Sequence, residues 1–334
     1  MPATRPASTQ LTASELAARI LARERGMLSR AITLTESTLA AHRDIAQEVL
    51  KRLLPHTGKA IRLGISGVPG VGKSTFIEAL GQQLLDKGHR VAVLAVDPSS
   101  KRSGGSILGD KTRMTALAVS DDAYIRPSPT SGHLGGVNRV TRESILLCEA
   151  AGFDVVLVET VGVGQSETMV ASMVDCYLLL MLPGAGDDLQ GIKKGVLELA
   201  DIIAVNKADG DQALAAKQAK QAYQRALSIL QPAGAWRPVA TTLSAATGDG
   251  IAELWETVRA HRRELVDSGE FVTRREKQRV EWFHALIEWQ LHELIHGNPD
   301  LAAELARLEA AVREQRETPV VAATTLLRSV RQPV

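Results

Sequence analysis

The stretch Gly67-Val68-Pro69-Gly70-Val71-Gly72-Lys73-Ser74 constrains this chain more than any other part of it. It follows an apolar run at 61–66 and opens an amphipathic segment, so it reads as strand, glycine-rich turn and helix. Gly67, Gly70 and Gly72 permit the tight turn. The amides around Val71 and at the start of the helix point inward as donors for phosphate oxygens. Lys73 reaches the terminal phosphates, and the Ser74 hydroxyl, with Thr75 behind it, suits Mg2+. Few folds accommodate such a loop, and all of them place it at the carboxyl end of a parallel strand.

The surrounding pattern agrees with that placement. Short apolar runs at 61–66, 91–96, 155–159, 177–182, 202–206 and 239–244 alternate with helical segments at 74–87, 110–120, 139–151, 211–230 and 251–268. Near-continuous apolar strands separated by helices predict a mainly parallel sheet covered on both faces, an α/β P-loop NTPase core. Thr12 and Glu15 form a capping box that opens a helix ending near Glu24, and residues 28–54 read as one longer helix. After Phe271 the strand pattern stops. Val280, Phe283, Ile287, Leu291 and Leu294 then mark one face of a long helix, a second helix follows Pro299, and a short apolar stretch reaches the terminus. The expected organisation is an N-terminal helical extension at 1–58, a nucleotide-binding core at 59–268 and a C-terminal helical arm at 269–334. Helical arms on both sides exceed what the core needs to bury itself; they serve either as added cover or as packing surface for a second copy, with the C-terminal arm the expected dimerisation element.

Three further sites belong on the carboxyl edge of the sheet. Glu159 ends the run 155–159 and is followed by Thr160-Val161-Gly162, where an acid can meet Mg2+ or its water and a glycine can sense the terminal phosphate. An unpaired buried carboxylate there would be costly as mere packing. Asn206-Lys207-Ala208-Asp209 follows the run 202–206 and has the Asn-Lys-x-Asp pattern of guanine recognition. An aspartate accepts from both N1–H and the exocyclic amine of guanine, a pairing adenine does not offer. Lys207 would lie along the base, with Ser244, Ala245 and Ala246 near its carbonyl oxygen. Asp97 and Asp110 flank a glycine-containing segment and can orient water or metal, or simply cap helices.

Charge and composition remove other classes. There are 39 basic and 38 acidic residues, and residues 259–334 balance 12 against 12, so the aromatics Trp282, Phe283 and Trp289 lack the basic surround of a nucleic-acid platform. No apolar run reaches the roughly 18 residues of a membrane span. The start lacks a secretory signal, and two cysteines far apart in sequence, Cys148 and Cys176, fit reduced thiols; the expectation is a cytoplasmic protein without nucleic-acid or membrane partners. His292-Glu293-Leu294-Ile295-His296 matches a zinc-protease pattern, but Gly297 and Pro299 end its helix and no third ligand stands out. His133, flanked by glycines in a predicted loop, reads as a structural hydrogen-bonding residue or a sensor of the switches.

The segments 67–75, 96–100, 104–114, 131–136, 158–167, 184–195 and 206–209 together resemble the ArgK/MeaB family of P-loop GTPases, whose human member is the methylmalonic aciduria type A protein, and within it the bacterial YgfD-like branch. The resemblance implies a homodimeric GTPase that uses GTP/GDP and Mg2+ and binds adenosylcobalamin-dependent methylmalonyl-CoA mutase. Its role would be to gate loading, protection or reactivation of that enzyme's cofactor. It also implies that Lys73 and Ser74 contact phosphate and metal, that Asp97 and Asp110 belong to a first switch and Glu159 to a second, so that Ser74, Asp97, Asp110 and Glu159 surround the Mg2+. Residues 184–195 resemble a further switch facing the mutase, with Asp187, Gln190 and Lys193 as signalling residues. Older descriptions of the family favour a kinase linked to lysine, arginine and ornithine transport, but no phosphoacceptor pocket is evident. No glutamine stands where one would orient the attacking water, so slow intrinsic hydrolysis is expected.

Overall fold

The computed structural model describes residues 11–96, 114–127, 134–160, 166–184, 194–229 and 234–331. The chain forms two compact units, Met1–Glu276 and Lys277–Val334. In the first, seven parallel strands make one sheet: β1 (Ile61–Gly67), β2 (Val91–Val96), β3 (Ala123–Pro127), β4 (Val155–Thr160), β5 (Cys176–Met181), β6 (Ile202–Val205) and β7 (Val239–Thr242). Their order is β3-β2-β4-β1-β5-β6-β7, which puts β1 at the centre. The chain winds outward from β1 to one edge, returns at β4, and then winds to the other edge. The carboxyl end of β1 is therefore the switch point at which open parallel sheets bind ligands.

Alternate strand residues feed two cores. Leu63, Ile65, Val93, Leu157 and Leu178 face α4 (Lys73–Asp86), α5 (Thr115–Val119) and α10 (Ile251–Asp267). Val156, Val158, Tyr177, Leu179 and Ile203 face α6 (Leu134–Ala150), α7 (Ser166–Ala171), α8 (Lys194–Leu199) and α9 (Ala213–Ile229). The N-terminal helices α1 (Ala13–Leu21), α2 (Arg25–Glu36) and α3 (Ala40–Leu53) add Leu16, Ile20, Ile32 and Leu53 to this second core, over α6. Thr12 and Glu15 close the expected capping box.

The structure departs from the sequence reading in several places, among them the short helices α7 and α8, which no expected segment covers. Residues 28–54 are two helices, because Ser37 turns extended and its hydroxyl accepts from Leu39 N and contacts His42 Nδ1. Serine and threonine near a helix end compete for backbone groups in this way. β3 carries Arg126 and Pro127 and so lacks a strand-like pattern, but it lies at the sheet edge, where proline is tolerated. The terminal apolar stretch is a helix, α13 (Pro319–Arg331), opened by Pro319.

At the amino ends of the strands, aspartates tie neighbours together. Asp154 accepts from Arg90 N at 2.7 Å, Asp175 from Arg62 N at 2.9 Å and Asp201 from Tyr177 N at 2.8 Å. The long helix α11 (Glu270–Gly297) roots here through Arg275, which pairs with both oxygens of Asp175 at 2.7 Å and donates to Gly58 O and Ala60 O. In the second unit α12 (Pro299–Arg313) and α13 enclose a small core of Leu308, Ala322 and Leu326. No helix among the described residues is long and apolar enough to cross a membrane.

Candidate functional site

The loop after β1 has the conformation its glycines suggest. Gly70 and Gly72 have φ of +77° and +93°. A Cβ on Gly72 would stand 2.9 Å from Asn206 Nδ2, so glycine is required there by both backbone and space. Gly72 is the left-handed N-cap of α4, whose first amides therefore face the loop as phosphate donors. Lys73 Nζ donates to Gly67 O at 2.8 Å. Burial lowers the pKa of Lys73, and the carboxylates of Glu159 and Glu167 oppose that shift.

Glu159 sits on β4, the neighbour of β1, and is 4% exposed. Its Oε1 accepts from the Ser74 hydroxyl at 3.4 Å. A hydroxyl and a carboxylate oxygen so close together form a hard-donor pair that fits Mg2+, with Lys73 alongside for phosphate charge. Glu167 was not singled out from the sequence. It is buried in the first turn of α7, and an acid beside the apolar Met169 and Val170 has the same appearance as an ordinary helix-capping acid.

The guanine-type loop is bonded directly to the phosphate loop. Asn206, 1% exposed, donates from Nδ2 to Val71 O at 2.8 Å and accepts at Oδ1 from Ala245 N at 2.9 Å. Lys207 Nζ donates to Gly70 O at 2.9 Å. The Lys207 backbone is left-handed, with φ of +59°, a conformation costing a non-glycine residue about 1 to 3 kcal/mol and concentrated at functional sites. Asp209 follows and is partly buried, Ser244 is buried and Ala246 is exposed. The structure thus brings Gly67, Gly70, Val71, Gly72, Lys73, Ser74, Thr75, Glu159, Asn206, Lys207, Asp209, Ser244, Ala245 and Ala246 to one edge of the sheet. Asp97, Asp110, His133, Gly162, Asp187, Gln190 and Lys193 lie outside the described residues.

Cys176 turns out to have company that its sequence spacing concealed: its Sγ, an Asp201 oxygen and a His261 nitrogen lie within 4.8 Å of one another at the opposite end of the sheet. Arg274 already stands 3.1 Å from Asp201, and burial pushes the Cys176 thiol well up. With a guanidinium neutralising the carboxylate, this cluster is an ion-pair node at the base of α11. In the second unit the rings of His292 and His296 lie 4.1 Å apart.

Comparison with known proteins agrees with this geometry. The family described as Methylmalonyl Co-A mutase-associated GTPase MeaB matches residues 28–300. A Mycobacterium tuberculosis protein described as a probable GTPase is 56% identical over 317 residues, 95% of this chain and 94% of its own. The mouse mitochondrial methylmalonic aciduria type A homolog is 46% identical, over 92% of this chain and 76% of its own. A crystal structure titled LAO/AO transport system kinase superposes with a TM-score of 0.77 at 37% identity, covering 98% of this chain and all of that one. Phosphate loop, joined guanine-type loop and near full-length similarity lead to one conclusion: the chain is a GTP-hydrolysing P-loop protein and belongs to the MeaB family of GTPases.

Proposed function

We propose that this GTPase gates the loading, protection or reactivation of adenosylcobalamin-dependent methylmalonyl-CoA mutase, with GTP turnover as the timing step. The family match over residues 28–300 carries the reading, since it spans both nucleotide loops and names the mutase association. In the site, the α4 amides and Lys73 hold the β- and γ-phosphates and offset charge developing during transfer. Ser74 and Glu159, joined by Asp97 and Asp110 from the first switch, would hold Mg2+, which would supply charge neutralisation of the phosphates. Asp209 selects guanine, Lys207 and Ser244 to Ala246 flank the base, and Gly162 senses the terminal phosphate. Asp187, Gln190 and Lys193 carry the nucleotide state to the mutase. Intrinsic hydrolysis is slow in this reading, with Asp97, Asp110 or a partner-ordered switch completing the site around the attacking water.

The working form is a homodimer. Val280, Phe283, Ile287, Leu291 and Leu294 repeat at spacings of three and four on α11 and are each 40% to 58% exposed, a continuous apolar face of the kind that associates with another helix. The kinase title of the 37% identical structure keeps a second reading open, phosphoryl transfer to protein linked to amino-acid transport.

GTP hydrolysis by the purified protein, with and without the mutase and with Lys73→Ala as control, tests both. Stimulation by the mutase that the control lacks is the expected result. Phosphate appearing on protein instead of in solution would favour the kinase, and indifference to active mutase would remove that client.

A further inference from the structure

Directly beneath the phosphate loop, on the sheet face opposite α4, lies a buried polar patch that the hydrolysis scheme does not use. Ser66 and Thr160 are fully buried, Tyr177 is 1% exposed and Glu167 4%. Thr160 Oγ1 donates to Ser66 Oγ at 2.9 Å. The Tyr177 hydroxyl has no partner in hydrogen-bonding geometry among the described residues, and burial pushes its pKa far up, with Ser66 opposing and Glu167 adding to the shift.

The position of the Ser66 and Thr160 hydroxyls gives them a role. Ser66 immediately precedes Gly67, the first residue of the phosphate loop, and Thr160 immediately follows Glu159. Parallel pairing between β1 and β4 runs from Ile61↔Val155 to Ile65↔Glu159 among the described pairs, so Ser66 and Thr160 are the next step of the ladder. Side chains alternate across a sheet, which sends Glu159 to the Ser74 face and the two hydroxyls to the other. Packing alone does not call for them. A valine and an alanine would fill the same places without the desolvation of two hydroxyls, and a buried hydroxyl is tolerated only because it is bonded. At this point the pairing of β1 with β4 ends, while Gly67 still pairs with Leu180 on β5 and Thr160 with Val96 on β2; the loop that leads to Ser74 follows β1, and Glu159 lies one residue back on β4.

We infer that the Ser66–Thr160 hydrogen bond is a clasp that sets the separation of the two metal-site groups, making Ser66 and Thr160 positioning residues for GTP hydrolysis. The clasp acts through Ser74 and Glu159 and touches neither nucleotide nor metal. It rests on the reading of those two residues as the Mg2+ pair.

The test is the double variant Ser66→Ala/Thr160→Val, with Thr160→Ser as the conservative counterpart. Removing both partners strands neither hydroxyl of the Ser66–Thr160 bond, so the fold is expected to survive with Tm within a few degrees of the parent. The expected result is a kcat lower by roughly 10- to 100-fold, the penalty for a small misplacement of reacting groups, with KM for GTP changed less than about threefold. Fluorescent GDP binding, titrated with Mg2+ alone, should need several-fold more metal in the double variant while metal-free GDP affinity stays put. Thr160→Ser keeps the hydroxyl and should keep parental kcat and Mg2+ dependence. A double variant with parental kcat and Mg2+ titration would overturn the clasp, as would a loss that Thr160→Ser shares. If instead Glu159→Gln leaves Mg2+ dependence untouched, the metal assignment itself fails, a result distinct from failure of the clasp.

Discussion

Asn206 makes two bonds at once, to Val71 O and from Ala245 N, and so ties the base loop to the phosphate loop and to the segment that follows β7. Asn206→Ala leaves a buried carbonyl and a buried amide unpaired, which costs about 1 to 3 kcal/mol for each group so exposed. Urea unfolding should show a lower midpoint, and nucleotide affinity should fall with it. Asn206→Asp keeps the acceptor for Ala245 but loses the donor to Val71, so its loss should be confined to the phosphate-loop side. Gly72→Ala fails for a different reason, since φ of +93° and a 2.9 Å approach to Asn206 Nδ2 leave no space for a methyl group. GTP binding, measured directly, should be abolished in that variant while the sheet stays folded. At the base of the molecule Asp201 carries its own prediction. Burial alone would raise its pKa, but the His261 hydrogen bond and the Arg274 charge override burial and hold it below the ordinary carboxylate value. A depressed folded-state pKa contributes stability that is complete above the unfolded value near 4 and is lost as pH falls through the folded value. Asp201→Asn should therefore lower stability at neutral pH and flatten its dependence on pH below about 4, as read from unfolding midpoints across that range.

At the scale of elements, the root of α11 is a densely bonded joint of the first unit. Arg275 satisfies both oxygens of Asp175 and two backbone carbonyls, Gly58 O and Ala60 O, and its side chain is only 7% exposed. Replacing it by methionine strands a buried carboxylate, a change of about 3 to 5 kcal/mol in comparable buried pairs. Urea denaturation of Arg275→Met should reveal that loss, and the added change Asp175→Asn should recover part of it by removing the stranded charge. Much of the element list was legible in sequence because each central strand is a closed apolar run and each helix a periodic one; β2 runs from Val91 to Val96 as read. β3 was not legible, since a five-residue edge strand ending in Arg126-Pro127 has no apolar run to announce it. The break between α2 and α3 was hidden by Leu28, Ile32, Leu39 and Ile45, whose helical spacing runs on through a turn that Ser37 makes locally.

For the whole molecule, the proposed dimer gives a direct prediction. Phe283→Asp with Leu291→Asp puts two charges into the exposed face of α11, so sedimentation should show monomers where the parent sediments as a dimer, with the core's nucleotide binding retained. The sequence by itself determined the parallel α/β core, the phosphate loop, Glu159 at a strand end and the Asn-Lys-x-Asp loop, because these depend on local spacing: glycines where the backbone must turn tightly, acids where apolar strands stop. It also carried the family, whose motifs lie along most of the core. Tertiary structure alone decided what meets across the fold. That Asn206 bonds to Val71, that Glu167 lies within electrostatic reach of Lys73, that Ser66 and Thr160 share a hydrogen bond, and that Cys176, Asp201 and His261 converge all follow from strand order and register. Those are long-range pairings, and no local periodicity records which strand lies beside which.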